Sequence, residues 1–245
     1  MRIAMLAAAL LSVTPAFAAD DAPAGGGPHA APAEAFALDS IHQRVLPCMA
    51  CHGRSGRATN DGYYPRIAGK PAGYLYNQLL NFREGRRNYA MMTYMVERQD
   101  DAYLFEMAAF FSAQHLPYPP PQAPEVGADV LERGRRLVTQ GDAAQRIPAC
   151  QACHGERLTG ALPATPGLLG LSHDYLMAQL GAWREGNRHA HAPDCMATVA
   201  QRLTPADLYA AAAWLATQPV PADAAPSAPL AHLPLACGSA PEPVP

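Results

Sequence analysis

Two five-residue strings, Cys48-Met49-Ala50-Cys51-His52 and Cys150-Gln151-Ala152-Cys153-His154, hold the side chains of this sequence best suited to chemistry. Each sets two thiols three positions apart, with an imidazole directly after the second. Thiols at that spacing can add across the two vinyl groups of one porphyrin, and the adjacent histidine can then give iron its proximal nitrogen. A single copy would also suit a redox dithiol or half a zinc site. Two copies, each followed by glycine (Gly53, Gly155) in matching surroundings, point to two covalently bound haem c groups. Cys48, Cys51, Cys150 and Cys153 are then the attachment points, and His52 and His154 the iron ligands.

The elements around these strings are also duplicated. Tyr74-Leu75-x-x-Gln78-Leu79-x-x-x-Arg83-Glu84-Gly85 recurs as Tyr175-Leu176-x-x-Gln179-Leu180-x-x-x-Arg184-Glu185-Gly186, at a constant offset of 101. Pro65 and Gly69 match Pro166 and Gly170 at that offset, while Met107–Phe111 matches Ala211–Leu215 at 104. Three residues therefore enter the second copy between Arg188 and Met196, and the chain reads as a tandem duplication with one haem per copy. Each copy reads as helical. Tyr74, Leu75, Gln78, Leu79 and Phe82 fall on one helical face, repeated by Tyr175, Leu176, Gln179, Leu180 and Trp183. Thr204, Pro205 and Asp207 are the start signals of a last helix, with Asp100 in the cap position of the first copy. No segment alternates well enough to predict a sheet.

An electron carrier needs a second axial ligand, commonly Met or His. Met196 and Met92 correspond at the offset of 104, whereas Met91 aligns with Cys195 and Met95 with Val199. Met92 and Met196, each expected in a loop before its last helix, are the predicted sixth ligands. Met177 aligns with Tyr76 and reads as core. His173, His189 and His191 align with Ala72, Asn88 and Ala90, so the first copy offers no bis-histidine site, and they are expected to face solvent with His42 and His115. The other ring nitrogen of a ligating histidine needs an acceptor, and the carbonyls of Pro65 and Pro166 are candidates. Tyr74, Tyr175, Arg83 and Arg184 are candidates for the haem propionates, against helix packing for the tyrosines and ion pairs with Glu84 and Glu185 for the arginines.

Residues 1–19 read as a secretory signal, with Arg2, an apolar run from Ile3 to Leu11, and the small-x-small site Ala16-Phe17-Ala18. No further apolar run is long enough to span a membrane. Residues 20–39 are Ala/Pro/Gly-rich and expected to be disordered. Residues 117–124 form a Pro-rich linker between domains at 40–116 and 125–221, and 222–245 form a Pro/Ala-rich tail. Export agrees with covalent haem attachment and predicts a periplasmic protein. A formal net charge of −3 argues against a nucleic-acid partner.

The strings Cys-x-x-Cys-His-Gly, Tyr64-Pro65-Arg66-Ile67-Ala68-Gly69, Tyr-Leu-x-x-Gln-Leu-x-x-Phe-Arg-Glu-Gly (74–85) and Met92-Thr93-x-Met95 together resemble the tandem dihaem cytochrome c4 family over about residues 44–219. The resemblance implies an all-α fold of two class I cytochrome c domains about a pseudo-twofold axis, each haem held by His and Met. It also implies electron transfer from a quinol-oxidising complex or dehydrogenase to a terminal oxidase. The sequence departs from the family at Gly167, where Arg or Lys is usual, and in its long tail. Two cysteines remain, Cys195 and Cys237. In an oxidising compartment they suggest a disulfide that pins the tail for about 3 kcal/mol; free thiols, or iron ligation by Cys195, are the alternatives. A Cys-ligated or open haem would instead favour an enzyme of thiosulfate dehydrogenase or dihaem peroxidase type, and a stable partner would favour a dedicated dehydrogenase subunit. By charge, residues 40–118 carry 9 basic and 6 acidic side chains against 8 and 9 in 125–221, so the first domain is the expected docking face for an acidic partner.

Overall fold

The helices of the two copies follow one another in the same order, as a duplication requires. In the computed structural model, which describes residues 39–58 and 63–241, the first copy contains α1 (Ile41–Arg44), α2 (Leu46–His52), α3 (Ala72–Arg83), α4 (Ala90–Val96) and α5 (Asp101–Ser112). The second contains α6 (Ala128–Thr139), α7 (Gln151–His154), α8 (His173–Arg184), α9 (Cys195–Arg202) and α10 (Pro205–Ala216). A two-residue hairpin, β1 (Gly160–Ala161) against β2 (Thr165–Pro166), is the paired sheet among the described residues. The predicted secretory signal and most of the Ala/Pro/Gly-rich segment lie outside the described residues.

The start signals act as their chemistry dictates. Thr204 and Asp207 form a reciprocal capping box at α10, and Asp100 accepts the Tyr103 amide at α5. Each copy has its own hydrophobic cluster. Leu75, Tyr76, Leu80, Leu104, Met107 and Phe111 belong to the first; Leu137, Val138, Leu176, Leu208, Ala212 and Leu215 belong to the second. Helix α6 crosses α10 at Gly134, where an added Cβ would meet the Ala210 carbonyl and, at 2.8 Å, Trp214 Cβ.

Two expectations are corrected. Met92 and Met196 sit in the short helices α4 and α9 rather than in loops, because each segment has a local N-terminal stop. Extended Tyr89 precedes α4, and the Asp194 carboxylate accepts the Ala197 amide at the head of α9. His173 and His191 are half-buried rather than solvent-facing. The His173 ring packs edge-on against Tyr209 at 5.0 Å, and Arg86 Nη2 lies 2.9 Å from His191 Nε2. His42, His115 and His189 are exposed. Met177 packs against the second core.

The tail is ordered along most of its length. Ser227 exchanges backbone hydrogen bonds with Gly160 and Leu162, Cys237 is disulfide-bonded to Cys195 across 42 residues of chain, and the Gly238 amide donates to Pro193 O. It then leaves the second copy. Asn77 on α3 donates to Ser239 Oγ (2.7 Å) and accepts from the Ala240 amide (2.8 Å). The tail thus ties both halves together.

Candidate functional site

A cavity of about 960 Å³ runs through both copies, at the upper end of the ~300–1,000 Å³ typical of cofactor pockets. The five residues of α3 placed on one face by their spacing all line it, as do their five counterparts on α8. The opposite side of α3 packs into protein, with the Tyr76 ring edge-on to Phe105 at 5.5 Å. Cys48, Cys51, His52 and Met92 reach the cavity from the first copy, and Cys150, Cys153, His154 and Met196 from the second.

Backbone conformation at the end of each attachment string explains the glycine that follows it. Gly53 (φ 73°) and Gly155 (φ 83°) turn the chain in the left-handed region, where a Cβ would meet Ala58 O at 2.6 Å and Gly160 O at 2.9 Å. Those turns return the chain past the histidines. His52 Nδ1 lies 2.9 Å from Pro65 O and His154 Nδ1 lies 2.7 Å from Pro166 O. Since a carbonyl can only accept, each Nδ1 donates, which leaves Nε2 with a free lone pair for a metal. Burial lowers the pKa of both imidazoles, against the opposing effect of these hydrogen bonds, so both are neutral donors near pH 7. Burial also pushes the Cys150 thiol up to about 12 and raises Cys48 and Cys153, so these thiols pack as apolar groups. Among the described residues, no three His, Cys, Asp or Glu side chains converge as a metal cluster.

The cavity wall between the copies is polar and doubled. Arg87 donates to Gln78 Oε1 (3.0 Å), Gln179 Oε1 (2.7 Å) and Tyr175 Oη (3.2 Å). Arg188 donates to Gln179 Oε1 (2.7 Å) and Gln78 Oε1 (2.8 Å). Each guanidinium also lies over an aromatic ring of its own copy, Arg87 over Phe82 at 4.5 Å and Arg188 over Trp183 at 3.7 Å. Burial, then the charge of Arg87, lowers the Arg188 pKa to about 10. Among the described residues neither arginine has a carboxylate partner. A buried cation, Arg188, beside the half-buried Arg87, both with neutral acceptors, calls for an anion in the cavity, and haem brings two carboxylates. The donor set and this unbalanced charge both fit the group.

Arg83 and Arg184 do not line the cavity and are corrected as propionate candidates. Arg83 is committed to Gln99 O (2.8 Å) and Asp101 Oδ1 (2.6 Å), and Arg184 donates to Leu203 O, so each ties its helix to the segment before the copy's last helix. Arg87 and Arg188 occupy the wall instead. They match at the same offset of 101, two residues beyond the repeat run that ended at Gly85 and Gly186, and that offset carried further would have found them. Tyr74 and Tyr175 do line the cavity. Cys195, in the disulfide, is beside Met196 at the head of α9.

Comparison with known proteins gives this geometry its relatives. The cytochrome c family model matches residues 131–219. A thiosulfate dehydrogenase electron acceptor of Thiomonas intermedia is 40% identical over 173 residues, 71% of this chain and 79% of that protein. Reduced recombinant cytochrome c4 from Pseudomonas stutzeri has a similar structure, with TM-score 0.63, 28% identity, and coverage of 74% of this chain and 98% of that one. Thiosulfate dehydrogenase (TsdBA) from Marichromatium purpuratum is similar at TM-score 0.63 and 34% identity over 70% of this chain, which spans only 36% of that longer protein. Relatives named cytochrome c4 match at 28–30% identity across about 70% of the chain. With its tandem helical domains and two covalently bound haem c groups, the chain belongs to the cytochrome c4 family of dihaem electron-transfer cytochromes.

Proposed function

We propose that the protein is a periplasmic electron carrier that accepts electrons from a dehydrogenase of the thiosulfate-oxidising type and delivers them to a terminal oxidase or another acceptor. The observation that carries this reading is the doubled set of two cysteines, one histidine and one methionine along a single continuous cavity. In it, Cys48 and Cys51 would hold one haem and Cys150 and Cys153 the other, with His52 and Met92, and His154 and Met196, as the side chains that would bind the irons. The haems supply reversible one-electron chemistry. The chain's own contribution is to fix each imidazole through a proline carbonyl, to fill both axial positions, and to balance carboxylates with Arg87 and Arg188.

The donor class rests on the name of the Thiomonas relative and on the likeness to the Marichromatium dehydrogenase. A carrier is favoured over an enzyme because Cys195, the thiolate that a Cys-ligated haem would use, is in a disulfide. The ferric optical spectrum of the holoprotein tests the ligation. Met92→Ala and Met196→Ala are each expected to remove about half of the long-wavelength methionine–iron band, and with it the elevated potential that methionine confers. A Met196→Ala spectrum identical to wild type would refute His/Met ligation at the second site and bring an open or Cys-ligated haem forward.

A further inference from the structure

Lys70 is a first-copy residue buried against the second copy's histidine-holding loop. Its side chain is 4% exposed and lines the cavity, and Nζ donates to Gly167 O at 2.8 Å. Gly167 directly follows Pro166, whose carbonyl holds His154 Nδ1. That is also where the second copy lacks a cation. Arg66, the residue after Pro65, corresponds to Gly167 at the offset of 101. A side chain at Gly167 is excluded because its Cβ would meet Thr159 O at 2.6 Å. Lys70 has no counterpart of its own kind, since position 171 is leucine.

The two halves bring these groups together through close backbone approach. At Gly73, in the first turn of α3, a Cβ would lie 2.8 Å from Pro163 O in the hairpin that leads to Gly167. Arg66 is spoken for, donating to Leu116 O (2.6 Å) and Pro117 O (3.0 Å) under the Tyr118 ring. An ammonium has three donors, and among the described residues Lys70 has one acceptor. A buried cation so placed acts on whatever redox centre shares its wall, because a positive charge in a poorly screened site favours the state with one more electron.

We infer that Lys70 is a positioning charge that raises the reduction potential of the second haem from across the domain boundary, replacing in trans the arginine that Gly167 displaces. This rests on attachment of the second haem at Cys150, Cys153 and His154. Burial, then the nearby Arg66 charge, lowers the Lys70 pKa to about 7, and the charged or titratable groups facing it are Arg66 and His154. The effect should therefore fade as pH rises through neutrality.

The test is a spectroelectrochemical titration of full-length holoprotein, with haem content measured first as the pyridine haemochrome. Wild type, K70R and K70M are compared, each also in a Met92→His background that lowers the first haem's potential and leaves the second to be read separately. K70M is expected to shift the sharing of an electron between the haems about tenfold toward the first, 59 mV for one electron, while K70R stays near wild type. An unmoved ratio in K70M, or an equal shift in K70R, overturns the inference. Should K70M fail to fold, wild type decides: its ratio should move toward the first haem between about pH 6 and 8, a drift that K70R abolishes. A wild-type ratio flat over that range, or a drift that persists in K70R, also overturns it. Fewer than two haems in the haemochrome assay would instead defeat the attachment reading.

Discussion

Gly134→Ala is expected to lower the thermal midpoint of the second domain by about 10 °C or more. The added methyl would enter the α6–α10 crossing against the Ala210 carbonyl and Trp214 Cβ, which belong to a packed helix with no room to retreat. Overpacking of this kind costs about 1–3 kcal/mol, and a rigid backbone neighbour puts Gly134 at the upper end. For a domain of roughly 100 residues each kcal/mol is worth about 4–8 °C. Gly181→Ala is the internal control. Gly181 lies within α8 with nothing within 4 Å of its would-be Cβ, so alanine should stabilise by about 0.5–1 kcal/mol through helix propensity alone. Calorimetry of both variants checks the pair, and a Gly134→Ala midpoint within about 2 °C of wild type would show that the crossing yields.

Removal of the Cys195–Cys237 bridge should have the second large effect. The double variant Cys195→Ser, Cys237→Ser is expected to lose about 4 kcal/mol, since a 42-residue loop is no longer closed in the unfolded chain. The loss should be uneven. The tail's first half keeps its backbone bonds from Ser227 to Gly160 and Leu162, whereas beyond Cys237 it is held by Gly238 to Pro193 and by Asn77. Leu233 and Leu235 form part of the cavity wall, so their release should admit water beside Met196 and weaken the iron bond proposed for it. Limited proteolysis is expected to cut after the Ser227 region in the double variant and not in wild type. Asn77→Ala should loosen only the final residues and leave the Met196 signature intact. Equal cleavage of wild type and the double variant would rule out the bridge as the tail's anchor.

Much of the architecture is legible in the sequence because duplication writes each signal twice. The offset of 101 pairs α3 with α8, and the offset of 104 pairs α5 with α10, so a helix doubtful in one copy is supported by the other. The cavity-facing side of α3 was readable for the same reason, from Tyr74 to Phe82. Methionines 92 and 196 pair by alignment and both line the cavity, but the helices that carry them were not read from the sequence. Helices of seven or eight residues are too short for periodicity to stand out in the sequence; the Asp194 side chain caps α9, whereas α4 follows extended Tyr89 with no side-chain cap. Arg83 and Arg184 misled because repeat matching reports equivalence and not direction, and both point to backbone carbonyls away from the cavity. Lys70 and Asn77 could not have been read at all. The partners of Lys70 and, in part, of Asn77 are backbone atoms 97 and 163 residues away, which no side-chain pattern encodes.

The doubled wall between the copies also bears on modularity. Gln78 and Gln179 each accept from both Arg87 and Arg188, so each glutamine serves one guanidinium of its own half and one of the other. A single-haem half cut from this chain would keep one bond of each pair and expose a charge that the other half now buries. Each substitution at these four positions is therefore judged in both halves at once. A duplication begins with two interchangeable parts, but here the exchange of partners has made each half the other's complement along this wall.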